Sequence, residues 1–294
     1  MNHKIKIGGV PEHFNYLFQL AKDNGLYKKY NVDVEFVIQK CGTGAMIKAL
    51  KNNELDVIIA LTEGLTADIS NGSDLKIFGT YVNSPLCWAA SVGKNSDLNN
   101  IYDLKGKCFG VSRYGSGSHL MACVLGMQNK WNLKEDLKFD VIGDFEKLRN
   151  SVNNKKSDVF LWETFTTKPY HDSNEIKRIG EIITPWPSFM MASLKNTLVE
   201  KKDILEKVFK AVHEASIIFR KNSNMPSVIA KNYNLKLEDA ENWYKNVDII
   251  SERKVSKSSL NITINTLKKA GIIDEKNPIK PEFIVDQNFC QLIE

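Results

Sequence analysis

The sequence predicts an α/β protein built as two similar lobes, and three observations carry that expectation. Short, β-branched apolar runs alternate with amphipathic helical segments, the order that builds a largely parallel sheet flanked by helices. The βα pattern restarts after Pro85 and ends near Pro187. The two halves also echo each other: Leu50–Val57 and Val152–Val159 each carry an Asn/Lys-rich turn, an Asp and then a strand, and each strand ends near a glutamate, Glu63 or Glu163.

The elements follow in order. Ile5–Val10 is a buried strand that ends at Gly8-Gly9, within an alternating run that starts at Met1. Phe14–Tyr30 has helical spacing interrupted by Gly25, and Val32–Gln39 alternates as a strand. Cys41–Gly44 reads as a turn and Ala45–Lys51 as a helix. The strand Asp56–Leu61, the short helix Glu63–Ser70 and the strand Leu75–Tyr81 follow. In the second half, Leu104–Ser112 is a turn and strand, Gly115–Ser118 a glycine turn and His119–Trp131 a helix. Leu137–Ile142 is a strand, Phe145–Asn153 a helix and Asp158–Trp162 a strand. Beyond Leu194 the pattern is helical, over Val199–Lys221, Leu237–Asn246 and Ser258–Ala270, with no strand alternation. Residues 1–89 and 193–294 are expected to form the first lobe and residues 90–192 the second, with proline-punctuated crossovers between them.

Composition excludes several classes of protein. The chain has 294 residues, 43% hydrophobic and 26% charged, which rules out pervasive disorder and collagen. No apolar run approaches the about 18 residues of a membrane span, so no membrane partner is expected. A net charge of +5, spread along the chain, is no nucleic-acid footprint. Five scattered cysteines lack zinc-type spacing; with no H-E-x-x-H motif, neither a metal nor a cofactor is expected. The scattered cysteines and the strand-like start point to a cytoplasmic protein with no evident obligate protein partner.

Open sheets bind ligands outside the carboxyl ends of their parallel strands. That rule gathers Gly42-Thr43-Gly44, Glu63, Ser116-Gly117-Ser118 and Trp162-Glu163 at one edge of each lobe, with His13, Phe14 and His119 also following strand ends. Glycine turns before helices let amides approach a ligand where the helix N-terminus is electropositive, and Thr43, Ser116 and Ser118 add hydroxyls and cap candidates. Trp88, Trp162 and Trp186 lie at strand ends or crossovers. A ring beside a carboxylate, as at Trp162-Glu163, suits a flat nitrogen heterocycle. There is no nucleophile elbow, phosphate loop or dinucleotide fingerprint, so no catalytic set is recognisable.

The run Asp103-Leu104-Lys105-Gly106-Lys107-Cys108-Phe109-Gly110-Val111, then Tyr114–His119, resembles the second-lobe opening of sulfonate, taurine and nitrate-type solute-binding proteins. Gly42–Leu50 with Leu55-Asp56-Val57 resembles their first-lobe motif, with Asn53-Glu54 where a glycine is common. The resemblance covers about residues 4–220. It implies the two-lobed type II periplasmic-binding-protein fold, each lobe a mixed, mostly parallel sheet flanked by helices, with a ligand cleft between the lobes that closes by hinging. The same superfamily includes thiamine-pyrimidine precursor binders and the fungal thiamine-pyrimidine synthase. The synthase's cysteine-rich segment is here Ser84–Ala90, with one cysteine, and Thr62-Glu63 stands where its lysine and histidine are sought. The chain is most similar to cytosolic fungal members of the fold. The function so implied is binding of a small polar ligand, an aminopyrimidine being expected. The alternatives are an enzyme of thiamine-pyrimidine or related cofactor biosynthesis and a sulfonate-type solute binder.

Overall fold

The structure, a computed structural model, describes residues 4–294; the start of the first expected strand, residues 1–3, lies outside the described residues. The chain divides into two compact units. The first comprises the described residues up to Ser84, Trp186–Ile264 and Lys276–Glu294; the second comprises Pro85–Pro185 and Asn265–Glu275.

The first unit opens with β1 (Lys4–Gly9), α1 (Tyr16–Asp23), α2 (Leu26–Lys29), β2 (Asp33–Ile38), α3 (Gly42–Lys51), β3 (Val57–Leu61), α4 (Thr62–Ser70) and β4 (Leu75–Val82). The second unit holds β5 (Cys87–Gly93), β6 (Cys108–Val111), α5 (Gly117–Gln128), β7 (Lys138–Val141), α6 (Phe145–Asn153), β8 (Val159–Glu163), α7 (Thr164–Asp172) and β9 (Ile176–Ile183). The chain continues through β10 (Phe189–Leu194), α8 (Lys195–Glu200), α9 (Lys202–Lys221), α10 (Met225–Tyr233), α11 (Leu237–Asn246) and β11 (Ile249–Glu252). It ends with β12 (Lys254–Ser256), α12 (Lys257–Lys269), α13 (Pro281–Ile284) and β13 (Gln291–Ile293).

Each unit has its own sheet, ordered β11-β4-β10-β3-β1-β2 in the first and β7-β6-β8-β5-β9 in the second. Both are mixed, and in each most strands run in one direction. β1 pairs in parallel with β2 and β3, and β6 with β7 and β8, but β10 and β5 enter antiparallel, with Met191 opposite Ile59 and Trp88 opposite Glu163. Sequence periodicity missed β5, β9 and β10. The chain after Leu194, expected to be mostly helical and without strand alternation, contributes β11 to the first sheet and a β12–β13 ladder. The first core gathers Met46, Leu50, Ile58, Leu65, Ile77 and Met190, all fully buried. A core of the second collects Leu148, Val152, Phe160 and Ile176.

The internal echo has a structural cause. α3 and α6 both end in a turn closed by a left-handed residue, Asn53 (φ 58°) or Lys155 (φ 58°). A backbone bond closes each turn, from Glu54 N to the Ala49 carbonyl and from Lys156 N to the Ser151 carbonyl, both at 2.9 Å. The aspartate that follows accepts a backbone amide of the neighbouring strand at 2.8 Å in both units: Lys6 N to Asp56 Oδ2 and Cys108 N to Asp158 Oδ2. The shared sequence therefore encodes a helix stop plus a strand-register pin.

Candidate functional site

In the first unit, β1 leads into a turn at His13–Asn15. His13 is buried, stacked on Phe14 at 4.7 Å and edge-on to Trp243 at 4.4 Å, and burial drives its pKa down to about 3. Phe14 packs on Phe189 at 5.1 Å, and its carbonyl accepts from Tyr81 Oη at 2.8 Å. Both residues serve the aromatic core behind the carboxyl edge of the sheet.

Gly42, Thr43 and Gly44 form the first turn of α3 instead of a separate turn before it, and Gly42 adopts φ 71°, which suits glycine. Thr43 is no N-cap. Its hydroxyl accepts the Leu61 amide at 3.2 Å and pins the end of β3 to α3. A Cβ at Gly64 would stand 2.7 Å from Thr43 Cγ2, so the two turns lie in direct contact. Glu63, in the first turn of α4, is 2% exposed; its Oε2 accepts the Trp186 indole N–H at 2.9 Å, and its Oε1 has no hydrogen-bond partner among the described residues. Burial raises the Glu63 pKa to about 7, against the pull of its own amide and of Trp186. Trp186, 2% exposed, is a buried donor rather than an open ring platform.

In the second unit, Ser116 is the N-cap of α5. Its Oγ accepts the His119 amide at 3.4 Å and donates to the Arg113 carbonyl at 2.7 Å. Ser118 lies inside the helix and its hydroxyl accepts the Ser112 amide at 3.2 Å. His119 Nδ1 accepts the Gly115 amide at 3.2 Å, and burial lowers the pKa of the ring, which meets Phe139 edge-on at 4.5 Å. The helix thus starts at Gly117, two residues before the expected start.

Glu163 takes its hydrogen bonds from the helix that follows it. It is the N-cap of α7: Oε1 accepts Phe165 N at 3.0 Å, while Oε2 accepts Thr166 N and Thr166 Oγ1, each at 2.7 Å. Burial still raises its pKa over these favourable bonds, with the nearby Glu181 carboxylate adding to the rise. Trp162 is half-buried and held against Phe145 at 5.1 Å. Trp88 is buried, with its indole N–H unpartnered among the described residues. Register places Trp88 beside Glu163, at the same sheet edge.

Sequence reasoning missed Arg113 and Tyr114 in the loop between β6 and α5. Tyr114 is 63% exposed, its ring held edge-on by His119 at 5.3 Å. Arg113 is an exposed residue whose pKa partial burial nevertheless lowers, and no carboxylate among the described residues pairs with it. The signal lay in the loop itself, since a cation and a ring directly before a glycine turn and a helix start are placed at the ligand-binding edge of such a sheet. No group of three or more His, Cys, Asp or Glu among the described residues is arranged to hold a metal, and no described helix is long and apolar enough to cross a membrane.

Two such α/β units, each with antiparallel strands entering a parallel core, are shared with the periplasmic binding proteins. The alkanesulfonate-binding protein SsuA from Xanthomonas axonopodis pv. citri, solved bound to MOPS, is 15% identical with a TM-score of 0.77, covering 93% of this chain and 95% of its own. PhnD1 from Prochlorococcus marinus, solved with methylphosphonate, is 14% identical with a TM-score of 0.60, covering 92% and 99%. These two show the fold. The Candida albicans CA3427 gene product is 34% identical over 99% of both chains, with a TM-score of 0.90, and defines a family with the generic periplasmic binding protein fold. The profile described as Ca3427-like PBP matches residues 88–182. The chain belongs to the family of the CA3427 protein, and its fold is a ligand-binding one. No curated protein matches the sequence.

Proposed function

We propose that this protein binds a small polar molecule through an acceptor-rich or anionic group held at the N-terminus of α5. The observation that carries the reading is the β6–α5 junction. Helix geometry leaves the Gly117 and Ser118 amides without intrahelical partners, the cationic Arg113 lies four residues before Gly117 in the chain, and Ser116 fixes the turn. Two strand-end carboxylates would repel an anion, but their settings weaken that repulsion. Glu163 is satisfied by three donors, and Glu63 is held toward its neutral form by burial. The ligands named in the SsuA and PhnD1 structures, MOPS and methylphosphonate, have an end of this kind.

An aminopyrimidine is the second reading, and Glu63 favours it. A buried Oε1 without a partner gains a hydrogen bond if a local opening admits an amino group. Thermal-shift titration with MOPS, taurine, methylphosphonate and 4-amino-5-hydroxymethyl-2-methylpyrimidine decides between them. A ligand at 100 times its dissociation constant adds about 2.7 kcal/mol of stability. The anion reading expects a shift with at least one of the first three that Arg113→Ala reduces. A shift with the pyrimidine alone, reduced by Glu63→Gln and not by Arg113→Ala, establishes the second reading. No shift with any of the four rejects both.

A further inference from the structure

The chain re-enters the first unit at Trp186, and the turn between β3 and α4 ties this re-entry segment down. Thr62 N donates to the Ser188 carbonyl at 3.1 Å, Thr62 Oγ1 donates to the Pro187 carbonyl, and Trp186 Nε1 donates to Glu63 Oε2 at 2.9 Å. From the other side, Ser188 N and Ser188 Oγ both donate to the Ser84 carbonyl, at 3.1 and 2.9 Å, so the segment is laced to the place where the chain leaves the unit. In this lacing only Glu63 can change charge.

We propose that Glu63 is a pH-sensitive latch on residues 186–188, closed while its carboxyl is neutral and loosened when it ionises. A neutral carboxyl is tolerated where Glu63 lies. A carboxylate helped only by the indole N–H and its own amide, with one side-chain oxygen unpartnered and no cation beside it among the described residues, is not, and water reached by local opening relieves it. No charged group among the described residues compensates. The elements packed on α4 are α3, β3, β4, β10 and α13. Of their titratable groups, Lys51 pairs with Asp68, Lys76 bonds the Phe283 carbonyl, Tyr81 bonds the Phe14 carbonyl and Glu282 pairs with Lys257. Lys48 is exposed, and none of the five acts on Glu63, whose shift comes from burial, its own amide and Trp186.

The sign follows from linkage. The folded pKa of about 7 lies above the 4.5 of an open, hydrated carboxyl, so opening releases a proton between these values. Opening is unaffected below about pH 4.5, rises roughly tenfold per pH unit from there to about pH 7, and then levels off after roughly a 300-fold increase.

Amide hydrogen exchange tests the proposal, with the wild type and Glu63→Gln compared at equal pH so that intrinsic base catalysis cancels. The Ser188 amide is the probe, and the Phe160 amide in the core of the second unit is the reference. The expected wild-type-to-variant ratio at Ser188 rises from near unity at pH 4.5 to on the order of 100 at pH 7.5, while the ratio at Phe160 stays constant. A ratio at Ser188 that is flat with pH overturns the latch, and so does an equal rise at Phe160, which would mean that ionisation acts only on global unfolding. A second readout needs only the wild type: the Trp186 indole N–H resonance is expected to titrate with a midpoint near pH 7, and a resonance that does not move between pH 4.5 and 8 also overturns it.

Discussion

Glu163→Ala separates a structural carboxylate from a ligand-binding one. In the folded chain the Glu163 side chain accepts two α7 amides and the Thr166 hydroxyl, at 2.7 to 3.0 Å, from a position 3% exposed. Replacing an N-cap by alanine costs about 0.5–2 kcal/mol, and each buried donor left unsatisfied adds about 1–3 kcal/mol. Against this stands the cost of burying the carboxyl, visible in its raised pKa, which the substitution removes. The net expected loss is about 2 kcal/mol at pH 7, a drop of roughly 4 °C in melting temperature for a chain of this size. Urea denaturation followed by circular dichroism measures it, and Glu163→Gln, which keeps one acceptor, is expected to fall between the two. Thermal shifts produced by MOPS or methylphosphonate, taken relative to each protein's own ligand-free value, should be unchanged. An unaltered urea midpoint together with a lost ligand shift would refute the cap assignment and return Glu163 to the ligand site.

The remaining predictions concern acid sensitivity and packing. His13 has a folded pKa of about 3, below the 6.5 of an open, hydrated imidazole, so below pH 6.5 the unfolded chain binds the extra proton and stability falls with falling pH. Between pH 7 and 4.5 this amounts to about 3 kcal/mol. Glu63 acts in the opposite direction over much of the same range, so the measurement is the pH slope of stability in His13→Leu against wild type; equal slopes would disprove the histidine contribution. Gly93→Ala places a Cβ 2.4 Å from the Val152 carbonyl oxygen, a backbone atom that can yield only by moving α6 away from β5. A loss of about 1–3 kcal/mol is expected in the same urea assay, and a wild-type midpoint would show that the contact relaxes freely.

Much of the fold was legible in the amino-acid order because its causes are local. β1, β3 and β8 are apolar runs of strand length, α6 has a helical apolar face, and the matched turns before Asp56 and Asp158 follow from helix-stop chemistry within a few residues. β5, β9 and β10 were not legible, because what makes them strands is a partner far along the chain, as when Met191 pairs with Ile59. The candidate site divides in the same way. The strand–turn–helix junction at Ser116 announces itself, since an N-cap serine and a glycine turn act on their own neighbours. The two glutamates looked equivalent at the strand ends, but α4 takes Leu61 as its N-cap and places Glu63 inside the first turn, whereas α7 takes Glu163 itself. That offset of the helix start leaves one carboxyl with Trp186, a donor 123 residues away, and gives the other three donors from its own helix. Residue type and spacing determined that a carboxylate would stand at each strand end. Only the tertiary structure, by setting where each helix begins and which donors burial brings within reach, decided what each carboxylate does.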